Sequence, residues 1–543
     1  MSKDIRYNEE ATQSVLKGIN AVADIVKTTV GPSGRNVLIR EHISPPIITN
    51  DGATIAKSIV LKDNTEDAAA QLIISAANNT NKVAGDGTTT TTILTQEIIK
   101  KYFELSEGLN INVVKTKKEM TVAAQFLSDF IKSIAIPVEN INDIKRVATI
   151  SSGDNQIGEL ISLAFDTAGE YGSVIVEYSK TGIDSLRNIQ GMKLPNGMVN
   201  QFLFSDRANR KTDMKDVDIL VVKEKIDNFT DIIPVLDDCL RSQRKLLILC
   251  DDVSLEVISQ IVNNKIRGAQ LNVSIVRLPG FGALRENMIE DICLATGAEV
   301  ISRENNTTLK GYTSDFLGQA EQITITDEDT IIKFKDIFDN QTKQINLLEQ
   351  RQQKAKELEI SLSQAKQEDK EQYKRRIANL ISGISLIEVG GNSDVEIKDK
   401  KLRIEDAINS VQAAKEEGIV PGGGFSFLTA YMNAHRDNTF GENVIFESLK
   451  AVTAQIAENA GTDGTEVVNN CIDKKLGYNA LTGEYENLIE TGVINSAKVD
   501  RYSLLNAAST AATVITMCAT IVEENEKDQN IFQLQAAGIP GMM

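Results

Sequence analysis

The chain has no tryptophan and only two histidines, His42 and His435, in 543 residues. A histidine metal cluster is thereby excluded, and a Ser-His-Asp hydrolase triad has almost nothing to draw on. The five cysteines, Cys239, Cys250, Cys293, Cys471 and Cys518, lie far apart with no C-x-x-C pair. That spacing builds neither a zinc knuckle nor a disulfide framework, so they read as small buried apolar residues in a reducing compartment. Long apolar runs are missing too. No run reaches bilayer length and the start, Met1-Ser2-Lys3-Asp4-Ile5-Arg6, has no apolar signal core, which predicts a cytoplasmic protein. Positive charge is in deficit, with 58 Lys+Arg against 76 Asp+Glu and a net charge of −18. Nucleic acid and anionic membrane both need a basic footprint, and neither is expected as a partner. Chemistry in such a chain must run on carboxylates, hydroxyls, backbone groups and a metal ion.

What is present has three textures. The length calls for roughly three domains. Residues 9–30 place Val15, Ile19, Val22 and Val26 on one helical face, which Gly31-Pro32 stops, and more helix is expected to about residue 132. From about 190 to 330, strand and helix alternate: Leu246 to Cys250, a helix from Ser254 to Ile266, Val273 to Val276, then the turn Pro279-Gly280-Phe281-Gly282 before another helix. The pattern predicts a parallel α/β unit. Residues 340–380, rich in Gln, Lys and Glu and anchored by Leu347, Leu348, Leu358, Ile360 and Leu362, predict a solvated helical hairpin. After about 405 the chain is helical and Ala-rich again. Helical ends around an α/β middle suggest a domain built from both termini with the middle inserted.

The densest motif is Gly85-Asp86-Gly87-Thr88-Thr89-Thr90-Thr91-Thr92. Its glycines let backbone approach a phosphate, its carboxylate can hold a hard cation, and it opens a helix whose N-terminus suits an anion. The plainer alternative is a Thr-rich N-cap after a tight turn. Similar small-residue turns occur at Val30-Gly31-Pro32-Ser33-Gly34-Arg35-Asn36 after Thr29, at Thr49-Asn50-Asp51-Gly52, and at Pro421-Gly422-Gly423-Gly424 before a helix from Phe425 to Ala434. No Walker A pattern is present, so together these turns point to a nucleotide site of another type.

In these motifs, and in Ala413-Ala-Lys-Glu-Glu-Gly-Ile-Val-Pro-Gly-Gly-Gly424, the sequence resembles the group I chaperonins, the GroEL-type folding machines, over essentially its whole length. The resemblance implies a multidomain α+β and α/β fold. A mainly helical equatorial ATPase domain would span 1–132 and 417–543, a small hinge domain 133–189 and 385–416, and an α/β apical domain 190–384. It implies ATP and Mg²⁺, with K⁺ as a further ion. Asp86 would hold Mg²⁺, and Gly87, Thr88, Thr89 and Thr90 would cradle the phosphates. Thr29, Val30, Gly31, Pro32, Asn50, Gly52 and Gly423 would complete the wall, with Asn479, Ala480, Leu481 and Asn495 near the nucleoside and the backbone of Thr29 and Asn50 offered to K⁺. Asp51 and Asp406 would be catalytic, Asp406 arriving when the hinge domain swings down. From residues alone, Asp406 also reads as an acid at a helix start, complementing the dipole. Non-native polypeptides would be gripped by Met198, Phe202, Leu203, Ile233, Leu236, Ile258, Val262 and Asn263. Further implied partners are a GroES-type co-chaperonin lid and other copies of the chain in seven-membered rings, two of them stacked.

The sequence also departs from the pattern. Asn50 replaces a usual lysine beside the phosphates, Asn495 a usual aspartate at the nucleoside, and Asn263 a usual apolar residue in the grip. The end, Gly538-Ile539-Pro540-Gly541-Met542-Met543, carries no long Gly-Gly-Met repeat. These changes keep open an alternative: a holdase or scaffold that no longer cycles ATP.

Overall fold

A computed structural model describes residues 3–40, 46–169, 172–179, 181–207, 210–335, 337–339, 344–365, 367–381 and 383–523, apart from 267–270. His42 and the Gly538–Met543 terminus lie outside the described residues. The chain divides into two compact units: residues 1–162, 176–184 and 389–543 form one, and residues 163–175 and 185–388 form the other. Nearly all of 133–162 and 389–416 thus falls in the first unit, and the whole of 190–384 in the second.

The first unit is helical because its apolar residues recur every three or four positions. In the Asn8–Val26 helix, Val15, Ile19, Val22 and Val26 are buried, as the periodicity predicts, and a short 3₁₀ turn at Lys27–Thr29 ends it. The Asn64–Ala84 helix starts at Asp63, whose Oδ1 accepts the amides of Thr65 and Glu66 at 2.9 and 3.0 Å. Small residues decide the centre. Ala507, Ala508, Ala511 and Ala512 are buried on the Ala497–Val514 helix, which packs against the Asn64–Ala84, Thr88–Ser106 and Val113–Ser133 helices. Leu94, Ile98, Leu127, Phe427, Phe446 and Leu504 fill the space between helices, each contributing about 1.5–3 kcal/mol by leaving water. The two ends of the described chain meet: Lys3–Tyr7 pairs antiparallel with Ala519–Glu523, in register from Lys3 opposite Glu523 to Tyr7 opposite Ala519.

The second unit is built on a mixed sheet. Its strand order is Gly383–Val389, Ser185–Leu194, Thr330–Phe334, Gly318–Ile325, Thr212–Val222, Lys245–Cys250, Val273–Arg277, with Val300–Ile301 also pairing with Thr212–Val222. Only the last part is parallel, where Thr212–Val222, Lys245–Cys250 and Val273–Arg277 are joined through the helices Phe229–Ser242 and Leu255–Ile266. Gly318–Ile325 and Thr330–Phe334 are joined by a short turn, which forces an antiparallel pair, and the strands beyond continue antiparallel. The expected parallel α/β unit is thus present over Thr212–Arg277, and antiparallel strands extend its sheet.

The helical hairpin is present as Leu347–Gln364 and Gln367–Ile381. Its anchors differ from those expected: Leu347 and Leu358 are buried but Ile360 is 62% exposed. Two arginines take the load instead. Arg351 is fully buried, stacks 4.7 Å from the Phe334 ring centroid and donates to Gln190 Oε1 at 2.9 Å. Arg376 donates to both oxygens of buried Asp291.

Candidate functional site

The expected nucleotide residues all fall in the first unit, around the N-terminus of the Thr88–Ser106 helix. Gly87 is the residue before that helix, in a left-handed conformation at φ +93°, and no side chain caps the first turn. The Thr-rich N-cap alternative is therefore not what forms. Thr91, Thr92 and Thr95 turn their hydroxyls back to the carbonyls of Gly87, Thr88 and Thr91, leaving the first-turn amides and the dipole for an anion. A Cβ on Gly87 would stand 2.7 Å from Ser503 Oγ and 2.8 Å from Val499 Cγ1, so the Ala497–Val514 helix fixes the turn from behind. Gly52 backs onto the same turn. A Cβ there would meet Thr89 Oγ1 at 2.4 Å and Thr88 Oγ1 at 3.1 Å, so only glycine lets the two segments touch.

Three carboxylates converge on this turn. Asp51 heads the Gly52–Ser58 helix, with Oδ1 accepting the amide of Ala53 at 3.0 Å and Oδ2 the amide and hydroxyl of Thr54 at 2.8 and 2.5 Å. Asp86 Oδ1 accepts the amide of Gly87 at 2.5 Å, and its Oδ2 accepts the hydroxyls of Ser410 at 2.6 Å and Ser151 at 3.1 Å. Burial raises the Asp86 carboxyl above its ordinary value against these hydrogen bonds, with a smaller push from Asp51. Asp406 is raised well above the usual carboxylate range, by burial first and then by the charges of Asp86, Asp51 and Glu405. Asp406 does not start a helix: it lies inside Asp394–Glu417, whose N-cap is Ser393. The dipole-complementing alternative fails for that reason, and its placement beside the other two acids is tertiary.

The remaining wall is continuous with this centre. Thr29 is buried with its hydroxyl on the Val26 carbonyl at 2.8 Å, Val30 is half-buried, and Gly31 and Pro32 are exposed. Asn459 donates to the carbonyls of Lys27 and Val30, both at 2.9 Å, and pins that turn. Asn50, half-buried, joins the Ile47–Thr49 strand to Asp51. Gly423 faces the carbonyl of Tyr478, which brings the 421–424 turn to Asn479, Ala480 and Leu481. Asn479 Nδ2 donates to Glu486 Oε1 at 2.7 Å, Ala480 packs on the core, and Leu481 is 79% exposed. Asn495 sits opposite Val420 in the Ile419–Pro421 and Ile494–Ser496 pair, with Nδ2 donating to Asp500 Oδ1 at 2.6 Å. Thr90 is half-buried in the first turn after Gly87.

These residues fit a magnesium nucleotide. The amides at the helix start suit phosphate, and the Asp86 carboxylate suits a hard cation. Among the described residues no group of three or more His, Cys, Asp or Glu is arranged to hold a metal by itself. An ion at Asp86 would therefore take its other ligands from phosphate and water, as Mg²⁺ usually does.

Sequence reasoning missed Ser151, Ser410, Ser426 and Asp500. Isolated serines carry no spacing signal, and Asp500 in the first turn of Ala497–Val514 reads as an ordinary dipole complement.

In the second unit, four of the eight expected polypeptide contacts are core residues. Met198 and Leu203 pack beneath the sheet's apolar layer, while Leu236 and Ile258 occupy inward faces of Phe229–Ser242 and Leu255–Ile266; all four are under 9% exposed. Phe202 and Ile233 are 46% and 37% exposed, Val262 is half-buried and Asn263 exposed. Leu255, Phe281 and Leu284, not among the expected contacts, are 78%, 85% and 60% exposed. No helix among the described residues is long and apolar enough to cross a membrane.

The fold is similar to that of the chaperonin gp146 from the bacteriophage EL 2 (Pseudomonas aeruginosa), crystallised in the presence of ATP-BeFx. One crystal form superposes with a TM-score of 0.72 at 20% identity, covering 96% of this chain and 99% of that one. A second crystal form gives 0.63 at 19% identity, with the same coverage. The model of the TCP-1/cpn60 chaperonin family matches residues 22–525. With a match of that extent and three acids gathered at an uncapped helix start, the chain belongs to the TCP-1/cpn60 chaperonin family.

Proposed function

We propose that this chaperonin subunit binds and hydrolyses Mg-ATP and uses the cycle to capture non-native polypeptides and release them for folding. The observation that carries the reading is the convergence of Asp51, Asp86 and Asp406 at the uncapped start of Thr88–Ser106. The amides after Gly87 bind and orient the phosphates, and Asp86 holds Mg²⁺, which supplies charge neutralisation on the transferred group. Asp51 and Asp406 position the attacking water and accept its proton, positioning and electrostatics being most of what phosphoryl transfer needs. Asp406 suits the accepting role because burial first, and then the neighbouring acids, raise its basicity. The backbone carbonyls of Thr29 and Asn50 are the candidates for K⁺. The ATP-BeFx in the gp146 crystals supports the nucleotide part of this reading.

The proposal extends to the three-domain division 1–132 with 417–543, 133–189 with 385–416, and 190–384. It also includes a GroES-type lid, homo-oligomeric seven-membered rings stacked in pairs, and a cytoplasmic site of action. In the apical segment, Phe202 and Ile233 are exposed apolar residues able to meet unfolded chains. The test is Mg²⁺- and K⁺-dependent ATP hydrolysis by the purified protein beside Asp406→Ala. The expected loss in the variant is about 10²–10⁴-fold, the usual worth of a general base. A wild type no faster than the variant sinks the ATP cycle and favours the second reading, a holdase or scaffold. That reading draws on Asn495, whose amide is committed to Asp500 and to the Ser496 amide.

A further inference from the structure

One buried acid beside the nucleotide wall has no part in the chemistry just described. Asp500 is 2% exposed, and each carboxylate oxygen is taken: Asn495 Nδ2 donates to Oδ1 at 2.6 Å and Ser426 Oγ donates to Oδ2 at 2.5 Å. The two donors belong to opposite sides of the nucleoside end. Asn495 lies on the Ile494–Ser496 strand, and its own Oδ1 accepts the Ser496 amide at 2.9 Å, so both ends of its amide are fixed. Ser426, fully buried, lies in the first turn of the Phe425–Asn433 helix, directly after the Gly422-Gly423-Gly424 turn. Backbone already brings these segments together through the Gly422 amide on the Val493 carbonyl at 2.8 Å. The carboxylate adds a second tie, between side chains.

We infer that Asp500 is a positioning residue for the nucleoside: it clamps Asn495 to Ser426 and so sets the spacing between the 493–496 wall and the 422–424 turn. The inference rests on the nucleotide reading proposed above. A buried carboxylate is costly to desolvate and stays in place only if its hydrogen bonds hold, which makes it a stiff strut. Among the described residues, the ionisable side chain whose charge reaches it is Asp86, which raises its carboxyl beyond what burial does. Its helix neighbours are engaged elsewhere, Lys498 with Glu416 and Arg501 with Glu417 and Ser128. Asn495 is thus held by an acid rather than left to turn toward the nucleotide freely.

The experiment titrates the full-length protein with a fluorescent ADP analogue and measures ATP KM and kcat for Asp500→Ala, Asp500→Asn, Ser426→Ala and Asn495→Ala. Asp500→Ala is expected to weaken ADP binding by about tenfold, the size of one lost hydrogen bond to a charged group, with the loss falling on KM rather than kcat. Asp500→Asn keeps an acceptor for Asn495 and is expected to recover most of the affinity. The Asn495→Ala and Asp500→Ala double variant is expected to bind no worse than the weaker single variant, because both remove the same clamp. Unchanged ADP affinity in Asp500→Ala, or single effects that multiply in the double variant, overturns the inference. Should Asp500→Ala fail to fold, Ser426→Ala decides: an unaltered affinity overturns the clamp and a weakened one supports it. A wild type that binds no ADP overturns the nucleotide reading itself and the clamp with it, whereas binding indifferent to these variants overturns the clamp alone.

Discussion

Asp500 also gives the chain a measurable pH response. Burial, with a smaller push from Asp86, raises its carboxyl to about 7 against 3.8 in the unfolded chain. Between those values the folded state holds a proton that the unfolded state has lost, so folding takes up a proton and stability falls as pH rises. This group's penalty is absent below pH 3.8 and complete above about 7. Asp500→Asn, which never ionises, is expected to gain stability relative to wild type on going from pH 5 to pH 8. Urea midpoints at the two pH values check it, and a constant difference between the proteins would show that the carboxyl is already ionised in the folded state at pH 5 and is not raised. Nothing in the sequence around Val499-Asp500-Arg501 discloses this. The side chain is buried by contacts with residues 74 positions away, such as Ser426, and such packing has no local pattern.

The Gly85–Thr92 segment was legible as a turn leading into a helix, since a glycine pair followed by apolar residues at helical spacing is a local signal. Gly87→Ala is expected to strain a left-handed residue and press on Ser503 and Val499. The expected cost is about 1–3 kcal/mol of stability, together with loss of ADP binding, both read from melting curves with and without ADP. A variant with normal stabilisation by ADP would show that the turn is not the phosphate cradle. The Asp394–Glu417 helix was less legible. Its first half, Asp394-Val-Glu-Ile-Lys-Asp-Lys-Lys, is mostly charged and hides the helical period, which made Asp406 look like a helix start. The mixed sheet was hidden for a related reason: strands such as Thr330–Phe334 are apolar runs whether their neighbours run parallel or antiparallel. Only the short turn at 326–329 distinguishes the two.

For the whole molecule, the prediction concerns the exposed apolar residues of the second unit. Phe202→Ser with Ile233→Ser is expected to weaken suppression of aggregation of an unfolded client severalfold while ATP turnover persists, because both side chains stand in water and neither supports the core. Asn263→Val is expected to act in the opposite sense, since Asn263 is exposed and an apolar side chain adds contact for apolar segments. Light scattering of a denatured client measures both, and unchanged scattering in the paired Ser variant would place the grip elsewhere. A middle set between helical ends was readable from the change of texture along the chain, because the Gln- and Lys-rich hairpin and the β-rich middle stand apart from Ala-rich ends. Which apolar residues face outward was not: in Phe229–Ser242, Ile232 and Ile233 are adjacent, yet one is fully buried and the other 37% exposed.

The antiparallel pairing of Lys3–Tyr7 with Ala519–Glu523 makes synthesis itself part of the timing. The Thr29–Pro32, Asp51 and Asp86 segments leave the ribosome early, while Asn495 and Asp500 come last. At about 5–20 residues per second, the early part of the proposed nucleotide pocket waits about 20–90 seconds for its partners. Within that interval the unit formed by 163–175 and 185–388 has all of its sequence available before the other unit has its own. On the proposed reading, the segment offered to unfolded chains is therefore the first that can finish folding, and the nucleotide site is completed after it.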